Sequence, residues 1–163
     1  MNKAVFLDRD GVINRDPGDY TKNWKEFEFN DGVIEVLQEF QEAGYLLLIV
    51  TNQGGIAKGL YTQEDFDDLT ENMLEVMNRN NLTISEVYFS PHHEDYSRSI
   101  SRKPDSLLFE RGLYKYDIDP QRSFIIGDKE RDIFAGEKVG LQGILIPVNG
   151  SLHEIKHRIL KAD

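Results

Sequence analysis

Two aspartates separated by one residue follow the first apolar run of the chain. Residues 4–7 are continuously apolar, which is typical of a strand buried on both faces, and Asp8 and Asp10 come directly after them. A carboxylate can attack phosphorus to form an aspartyl phosphate, and a second carboxyl can protonate the leaving oxygen and then take a proton from water. An isolated Asp-x-Asp is also a common turn former. The interpretation therefore depends on what the other strands carry.

Polar groups also follow three later apolar runs, each time where a predicted strand ends. They are a hydroxyl with a glycine-containing segment, two cations, and an acid followed by a cation: Thr51-Asn52-Gln53-Gly54, Arg102-Lys103 and Asp128-Lys129. Ligands of open α/β sheets bind outside the carboxyl ends of the strands, so we expect these groups to meet at one edge. Thr51, the backbone amides and Lys103 suit phosphoryl oxygens. Asp8 and Asp128 suit a hard cation such as Mg²⁺.

The elements that must position these groups alternate between strand and helix. Predicted strands cover residues 4–7, 45–50, 87–89, 123–126 and 143–146. Between them, Val33, Leu37 and Phe40 recur at helical spacing, Thr62 opens a capping box, and helices are predicted over 105–116 and 130–139. Ser151 is expected to cap a final amphipathic helix. The alternation predicts one three-layer, doubly wound, Rossmann-like α/β domain over residues 1–163, with a mostly parallel sheet.

Composition excludes several classes of function. The 163 residues include no cysteine, which excludes a disulfide framework, thiolate metal sites and a cysteine nucleophile. No apolar run approaches the roughly 18 residues of a membrane span, and Asp8 comes too early for a signal peptide, so we expect a cytoplasmic protein. With 19 basic and 29 acidic residues the net charge is −10, and no basic run occurs. Nucleic acid and membrane surfaces are therefore not expected partners.

The same segments resemble the four motifs of the haloacid dehalogenase (HAD) superfamily of phosphotransferases. FLDRDG at 6–11, Thr51-Asn52, Lys103-Pro104 and GDKERD at 127–132 carry this resemblance, which extends over about residues 4–148. FLDRDGVIN, FNDGVIEVL, VTNQGGIAKG, SPHH, RKP and IIGDKERD are similar to the small branch that holds D-glycero-D-manno-heptose-1,7-bisphosphate 7-phosphatase and histidinol-phosphate phosphatase.

The resemblance implies a HAD-type Mg²⁺-dependent phosphomonoesterase that works through an aspartyl phosphate. Its implied substrate is a small phosphorylated sugar, first the heptose 1,7-bisphosphate losing its 7-phosphate, with histidinol phosphate as the alternative. Asp8 is the implied nucleophile and Asp10 the general acid and base, while Thr51 and Lys103 stabilise the phosphoryl group. The metal ligands are Asp8, the main-chain carbonyl of Asp10, and Asp128. The implied substrate-binding residues are Asp16, Gly18, Asp19, Tyr20, Asn52, Gln53, Gly54, Arg102 and Lys129, and Asp132 is implied to position Lys129 or a metal-bound water.

One loop departs from that branch. Its members usually carry a zinc loop with cysteine and histidine ligands after the third strand, but Ser90, Ser99 and Ser101 stand at the cysteine positions here, with His92 beside His93. Serine hydroxyls are poor zinc ligands compared with thiolates, so no structural zinc is expected. The loop must then be held by its own hydrogen bonds and packing.

The spacing between motifs leaves no room for a cap domain. Forty positions separate Asp10 from Thr51, and fifty-one separate Thr51 from Lys103, and a helix plus a strand occupy most of each interval. We therefore expect an uncapped, open site in a monomer, with loops providing the discrimination between substrates.

Three other readings compete with the phosphatase. Residues 153–157, HEIKH, match the H-E-x-x-H pattern of zinc proteases, with both histidines on one face if the segment is a helix. A signalling domain that keeps its aspartyl phosphate would use similar residue types. A pseudoenzyme that only binds phosphosugars would retain the motifs without turnover.

Overall fold

The computed structural model describes residues 1–162, which form a parallel sheet of five strands. The strands are β1 (Lys3–Leu7), β2 (Tyr45–Asn52), β3 (Ile84–Ser90), β4 (Phe124–Gly127) and β5 (Gln142–Leu145). Their order across the sheet is β3-β2-β1-β4-β5, and every neighbouring pair is parallel. The chain therefore winds outward from β1 in both directions, as predicted.

One α helix occupies each crossover between successive strands. These helices are α1 (Val33–Glu42), α2 (Gln63–Arg79), α3 (Leu107–Lys115) and α4 (Glu130–Glu137), and α5 (Lys156–Leu160) follows the last strand. Between residues 1 and 162 no crossover carries an inserted cap domain. No helix in this part of the chain has the length and apolar character needed to cross a bilayer.

The central strands alternate their side chains between two hydrophobic layers. Val5 and Leu7 of β1 pack in the layer that includes buried residues of α1, α2 and α5. Ala4 and Phe6 point to the opposite layer, with buried residues of α3 and α4. Both faces of β1 are fully buried, which explains why its sequence is a continuous apolar run.

The predicted start of α2 is confirmed. The Thr62 hydroxyl accepts a hydrogen bond from the Asp65 main-chain nitrogen at 3.1 Å, and the Asp65 carboxylate accepts one from the Thr62 nitrogen at 2.8 Å. This reciprocal pair is a capping box, which satisfies two donors that the first turn leaves free. The helix then buries one face through Phe66, Leu69, Met73 and Met77.

The predicted final helix is present as α5, but Ser151 does not cap it. The Ser151 hydroxyl caps only a 3₁₀ turn, Leu152–Glu154, by accepting a hydrogen bond from the His153 nitrogen at 3.2 Å. The main-chain bond from Ile155 to Leu152 spans three residues, so an α-helical ladder does not form until Lys156. The two histidines of the H-E-x-x-H match thus lie in different helical segments, and neither joins an acidic or histidine cluster among the described residues.

Helix α4 touches the sheet through a glycine, which generates a prediction about stability. A Cβ added at Gly136 would lie 2.4 Å from Ile125 Cγ2 and 2.9 Å from Ile125 Cβ, and Ile125 is fully buried in β4. Gly136→Ala should therefore lower the free energy of unfolding by about 1–3 kcal/mol through overpacking, although alanine favours an exposed helix by about 0.5–1 kcal/mol. Urea unfolding measures the change. Glu137→Ala, on the exposed face, should stay within about 0.5 kcal/mol of wild type, and a stabilised Gly136→Ala protein would contradict the close contact.

Candidate active site

The predicted catalytic and metal-binding residues lie around the carboxyl end of β1. This is the point from which the chain winds toward β2 on one side and toward β4 on the other. Asp8 directly follows β1, Thr51 lies at the end of β2, and Asp128 directly follows β4. Lys103 reaches the same point from the loop after β3 and donates to Asp8. In a parallel α/β sheet this switch point is the usual crevice for ligands, because the crossovers diverge there.

Lys103 is the centre of the site and is 2% exposed. Its ammonium donates to Asp8 Oδ1 at 2.9 Å and to the Val50 carbonyl at 2.7 Å, and it lies 2.7 Å from Asp132 Oδ1. Burial alone lowers the pKa of Lys103, but the carboxylates of Asp132 and Asp8 outweigh burial, so the net pKa is raised. Lys103 is therefore a fixed positive charge whose three N–H groups all have acceptors.

Asn52 holds the main chain of Lys103 in place. Its amide nitrogen donates to the Lys103 carbonyl at 3.1 Å, and its amide oxygen accepts from the Lys103 nitrogen at 3.0 Å. The side chain of Asn52 thus joins the end of β2 to the loop after β3. Its predicted contact with substrate stays a prediction.

Three carboxylates surround one position beside Lys103. Oxygen atoms of Asp8, Asp128 and Asp132 all lie within 4.8 Å of one another. Burial, followed by the charge of Asp132, raises the pKa of Asp8 well above its ordinary value, with Lys103 acting in the opposite direction. Burial and the charge of Asp132 also raise the pKa of Asp128. Negative charge is therefore in excess at this position.

Asp128 has the chemistry of a metal ligand. Both of its carboxylate oxygens are buried, and neither has a hydrogen-bond partner among residues 1–162. The nearest cation, Lys129, lies 3.6 Å away with its side chain half exposed. A Cβ added at Gly11, whose φ is +87°, would lie 2.3 Å from Asp128 Oδ2, so only glycine leaves room for this carboxylate. Buried oxygen ligands in excess of nearby cations fit a hard divalent ion.

Sequence reasoning underestimated Asp132. It is 1% exposed, and one oxygen pairs with Lys103 while the other accepts a hydrogen bond from the Lys129 nitrogen at 3.1 Å. Its place in the first turn of α4, directly after the strand that ends in Gly127, is the signal that the sequence offered. A Cβ at Gly127 would lie 2.4 Å from Asp132 Cβ, so the glycine permits this close approach.

The carboxylate of Asp10 lies in a second network, away from Lys103. Its Oδ1 atom accepts from Arg9 Nε and Nη2, at 3.1 and 2.9 Å, and from Asn14 Nδ2 at 3.0 Å. Its Oδ2 atom accepts from Gln53 Nε2 at 3.0 Å, and the same nitrogen donates to Thr51 Oγ1 at 2.9 Å. Asp10 and Thr51 therefore share one neighbour, the buried amide of Gln53.

The predicted substrate-binding loop, residues 16–20, lines a groove, and the ring of its Tyr20 lies 6.1 Å from the ring of Tyr61. The groove has a volume of about 350 Å³, and its walls are Asp16, Gly18, Asp19, Tyr20 and Lys58. Lys58 was not among the predicted site residues, although it lies in the VTNQGGIAKG segment that carries part of the family resemblance. Two hydrogen bonds between the main chain of Asp16 and the amide of Asn149, at 2.7 and 3.0 Å, fix the start of the loop.

The loop after β3 is closed by serine hydroxyls, as predicted for a loop held by its own hydrogen bonds. Ser101 Oγ lies 2.9 Å from both Ser90 Oγ and Ser99 Oγ. Arg102 then donates to Glu94 Oε2 at 3.1 Å and to the His92 carbonyl at 3.0 Å. Its guanidinium packs against Gly54, where an added Cβ would lie 3.1 Å from Nη1.

Comparison with known proteins assigns the family. Residues 100–156 match the family described as HAD-hydrolase-like. D-glycero-beta-D-manno-heptose-1,7-bisphosphate 7-phosphatase of Haemophilus influenzae is 40% identical over 141 residues, which cover 83% of this chain and 76% of that protein. The enzyme of the same name from Helicobacter pylori strain J99 is 42% identical over 136 residues, covering 83% of this chain and 77% of the relative.

Solved structures agree with the sequence relatives. The D,D-heptose 1,7-bisphosphate phosphatase of B. bronchiseptica, complexed with magnesium and phosphate, superposes with a TM-score of 0.82 at 26% identity, covering 88% of this chain and 79% of that one. A HAD-like phosphatase from Mesorhizobium loti gives a TM-score of 0.88 at 28% identity, covering 99% and 86%. The chain therefore belongs to the HAD-type phosphoric monoester hydrolases, in the family that contains the heptose-1,7-bisphosphate 7-phosphatases.

Proposed function

We propose that this chain removes the 7-phosphate of D-glycero-D-manno-heptose 1,7-bisphosphate, with Mg²⁺ as its cofactor. The observation that carries the proposal is the buried arrangement of Asp8 against Lys103, with Asp128 and Asp132 beside them. The names of the sequence relatives support the heptose substrate. Histidinol phosphate is the alternative within the same chemistry.

The first half of the proposed reaction transfers the phosphoryl group to the chain. An oxygen of Asp8 attacks phosphorus, a P–O bond to Asp8 forms, and the P–O bond to the sugar breaks. Asp10 gives its proton to the leaving sugar oxygen. Lys103 and Thr51 stabilise the charge on the phosphoryl oxygens, which is the main requirement because this bond breaks very slowly without a catalyst.

The second half returns the chain to its starting state. Asp10, now a carboxylate, takes a proton from water, and the water oxygen attacks phosphorus. The P–O bond to Asp8 breaks, which releases inorganic phosphate and frees the carboxylate. Asp10 therefore serves as acid and base in turn, and a chain in which the second half fails would behave like a signalling domain.

The donor set of the site supports Mg²⁺. Asp8, the main-chain carbonyl of Asp10, and Asp128 would hold the ion, and the orphaned carboxylate of Asp128 is the feature of this chain that fits it. When bound, the ion neutralises phosphoryl charge and keeps Asp8 ionised. Asp132 stays paired with Lys103 and fixes the ammonium.

The remaining predicted residues are proposed to bind the sugar and its second phosphate. Arg102 packs against Gly54, Lys129 lies beside Asp128, and the 16–20 loop lines its own groove. Because the net charge of the chain is −10, an anionic substrate must be attracted by these local cations and by the metal ion.

A phosphate-release screen tests this function. Purified chain with Mg²⁺ should release phosphate fastest from the heptose 1,7-bisphosphate and should leave the 1-phosphate attached, as NMR of the product would show. Both anomers belong in the screen, together with histidinol phosphate and nucleoside monophosphates. Faster release from histidinol phosphate would select the alternative, and a phosphoryl-aspartate that persists for hours would indicate a signalling domain.

Removal of the Asp8 nucleophile should abolish turnover. Asp8→Asn keeps the shape of the side chain but provides an amide that cannot form a stable phosphoryl bond. We expect kcat to fall by at least about a thousandfold, because nucleophilic catalysis is lost as a whole. Asp105→Asn, an exposed acid in the loop before α3, should keep wild-type kcat. More than a tenth of normal kcat in Asp8→Asn would refute the nucleophile.

Arg102 should matter for the substrate and not for phosphoryl transfer itself. Arg102→Ala should lower kcat/KM for the bisphosphate by about 10–100-fold, the loss typical of a hydrogen bond to a charged group. The rate with p-nitrophenyl phosphate should change by no more than about threefold, since that substrate lacks the second phosphate. Arg98→Ala, in the same loop but exposed, is the matched control. Equal losses on both substrates would remove Arg102 from specificity.

The metal-free site should lose stability as the pH rises. The pKa of Asp8 is raised in the folded chain, so the folded state retains a proton that the unfolded chain releases near the ordinary value of 3.8. The free energy of unfolding should therefore fall with pH above that value. At about pH 7.5 in EDTA, Asp8→Asn should be more stable than wild type by about 0.5–2 kcal/mol, and this advantage should shrink near pH 4.

Urea unfolding with and without Mg²⁺ checks this expectation. Mg²⁺ should stabilise wild type more than Asp8→Asn, because the variant has lost one oxygen ligand with its charge. Asp105→Asn should follow wild type under every condition. A less stable Asp8→Asn chain in EDTA would contradict the excess of negative charge at the site.

A further inference from the structure

We propose that Gln53 is a positioning residue, whose amide orients the proton-carrying oxygen of Asp10 and makes the Thr51 hydroxyl a donor, and that Tyr61 fixes the orientation of this amide. The inference rests on the proposed function, because it concerns the proton that Asp10 delivers and removes. It changes the role of Gln53, which the sequence resemblance gave as a substrate contact.

The two oxygens of Asp10 have different surroundings. Oδ1 accepts three hydrogen bonds, two from Arg9 and one from Asn14, which leaves it no capacity to carry a proton. Oδ2 accepts one, from Gln53 Nε2 at 3.0 Å. Oδ2 is therefore the oxygen that exchanges a proton with the leaving group and with water. Since the Asp10 side chain is 23% exposed and Gln53 only 1%, Asp10 can reach the substrate while Gln53 orients it from behind.

The amide of Gln53 has one acceptable orientation. Its oxygen faces two donors, the Tyr61 hydroxyl and Arg9 Nη2, the latter at 3.5 Å. A rotated amide would direct its N–H groups at the Arg9 guanidinium, which has no acceptor, and its oxygen at the Asp10 carboxylate. Tyr61 provides the close contact to the amide oxygen, and Gly55 permits it, since a Cβ there would lie 2.2 Å from the Tyr61 ring.

This orientation also determines what Thr51 can do. Gln53 Nε2 donates to Thr51 Oγ1 at 2.9 Å, so the hydroxyl acts as an acceptor toward Gln53 and keeps its own proton for another partner. Within residues 1–162 that proton has only the Asn52 carbonyl, at 3.5 Å, which is a weak bond. A phosphoryl oxygen beside Thr51 would be a better acceptor. One amide thus prepares both the acid and a stabiliser of the phosphoryl group.

The network is protected from water, which makes its geometry rigid. Arg9 is 1% exposed and Tyr61 6% exposed, and the Arg9 guanidinium lies 5.7 Å from the ring of Phe66. Burial strengthens each hydrogen bond and removes competing water partners. Arg9 itself is unsuitable for a test, because its removal would leave Asp10 without its buried counter-ion and would destabilise the fold.

Tyr61→Phe and Gln53→Glu test the proposal. Tyr61→Phe removes only the hydroxyl that holds the amide, and Gln53→Glu keeps the size but places a carboxylate against Asp10. Tyr114→Phe, at a tyrosine that is 93% exposed, is the matched control. Rapid-quench experiments on the Mg²⁺-loaded enzyme would compare p-nitrophenyl phosphate, whose leaving group needs no proton, with phenyl phosphate, whose leaving group is much poorer.

Loss of acid positioning has a specific signature. In Tyr61→Phe, phosphoenzyme formation from p-nitrophenyl phosphate should stay within about threefold of wild type, whereas formation from phenyl phosphate and hydrolysis of the phosphoenzyme should each fall by about tenfold or more. Gln53→Glu should show the same difference between the two substrates, and it should also slow formation from p-nitrophenyl phosphate, because a carboxylate cannot donate to Thr51 Oγ1. The burst of p-nitrophenol should therefore become larger relative to the steady state. Should Gln53→Glu fail to fold, Tyr61→Phe carries the test alone.

Two results would overturn the inference. If each variant slows phosphoenzyme formation by the same factor with both substrates, the network has a structural role only. If neither variant slows phosphoenzyme formation or hydrolysis, the Gln53 amide does not position Asp10 for proton transfer. Either result leaves the proposed function standing. A wild-type chain that forms no phosphoenzyme would instead refute the proposed function, and this inference with it.

Discussion

The site depends on one buried ammonium placed between two carboxylates. Lys103 contacts Asp8, Asp132 and the Val50 carbonyl, so a single side chain joins the ends of β1 and β2 to the start of α4. A buried cation is stable only when acceptors replace its lost water, and here all three of its protons have one. The lysine in turn is placed by Asn52, which binds its main chain on both sides. The geometry of Asp8, the proposed nucleophile, thus follows from satisfying a buried charge.

Asp8 and Asp10 are two residues apart but lie in electrostatically different surroundings. Asp8 lies beside two further acids and one lysine, and the three carboxylates are oxygen ligands that suit a divalent cation. Asp10 lies against the buried guanidinium of Arg9 and the amide of Gln53, in a network with no second carboxylate. Because the two carboxylates have separate surroundings, one short segment can provide both the proposed nucleophile and the proposed proton carrier.

Much of the fold and the outline of the site could be predicted from sequence, because both rest on local patterns. Apolar runs marked β1 and β2, and the polar residues directly after each strand marked the crevice. Asp132 was underestimated because its partner Lys103 is distant in sequence, and only the packing of α4 on β4 brings them together. Tyr61 was missed for a similar reason, since its contact with Gln53 requires the intervening loop to fold back. The C-terminal helix begins later than predicted because Leu152–Glu154 form a 3₁₀ turn that side-chain periodicity does not distinguish from an α helix.

The serine hydroxyls that close the loop after β3 determine how this loop responds to oxidants and to metal ions. Thiols at such positions would be open to oxidation and to exchange with competing metals, whereas the hydroxyls of Ser90, Ser99 and Ser101 undergo neither reaction. Arg102 and Lys103 follow these hydroxyls directly in the chain. The contacts that close the loop beside both cations therefore contain no thiol for peroxide to oxidise or for a thiol-reactive metal to bind, unlike those of a thiolate-closed loop.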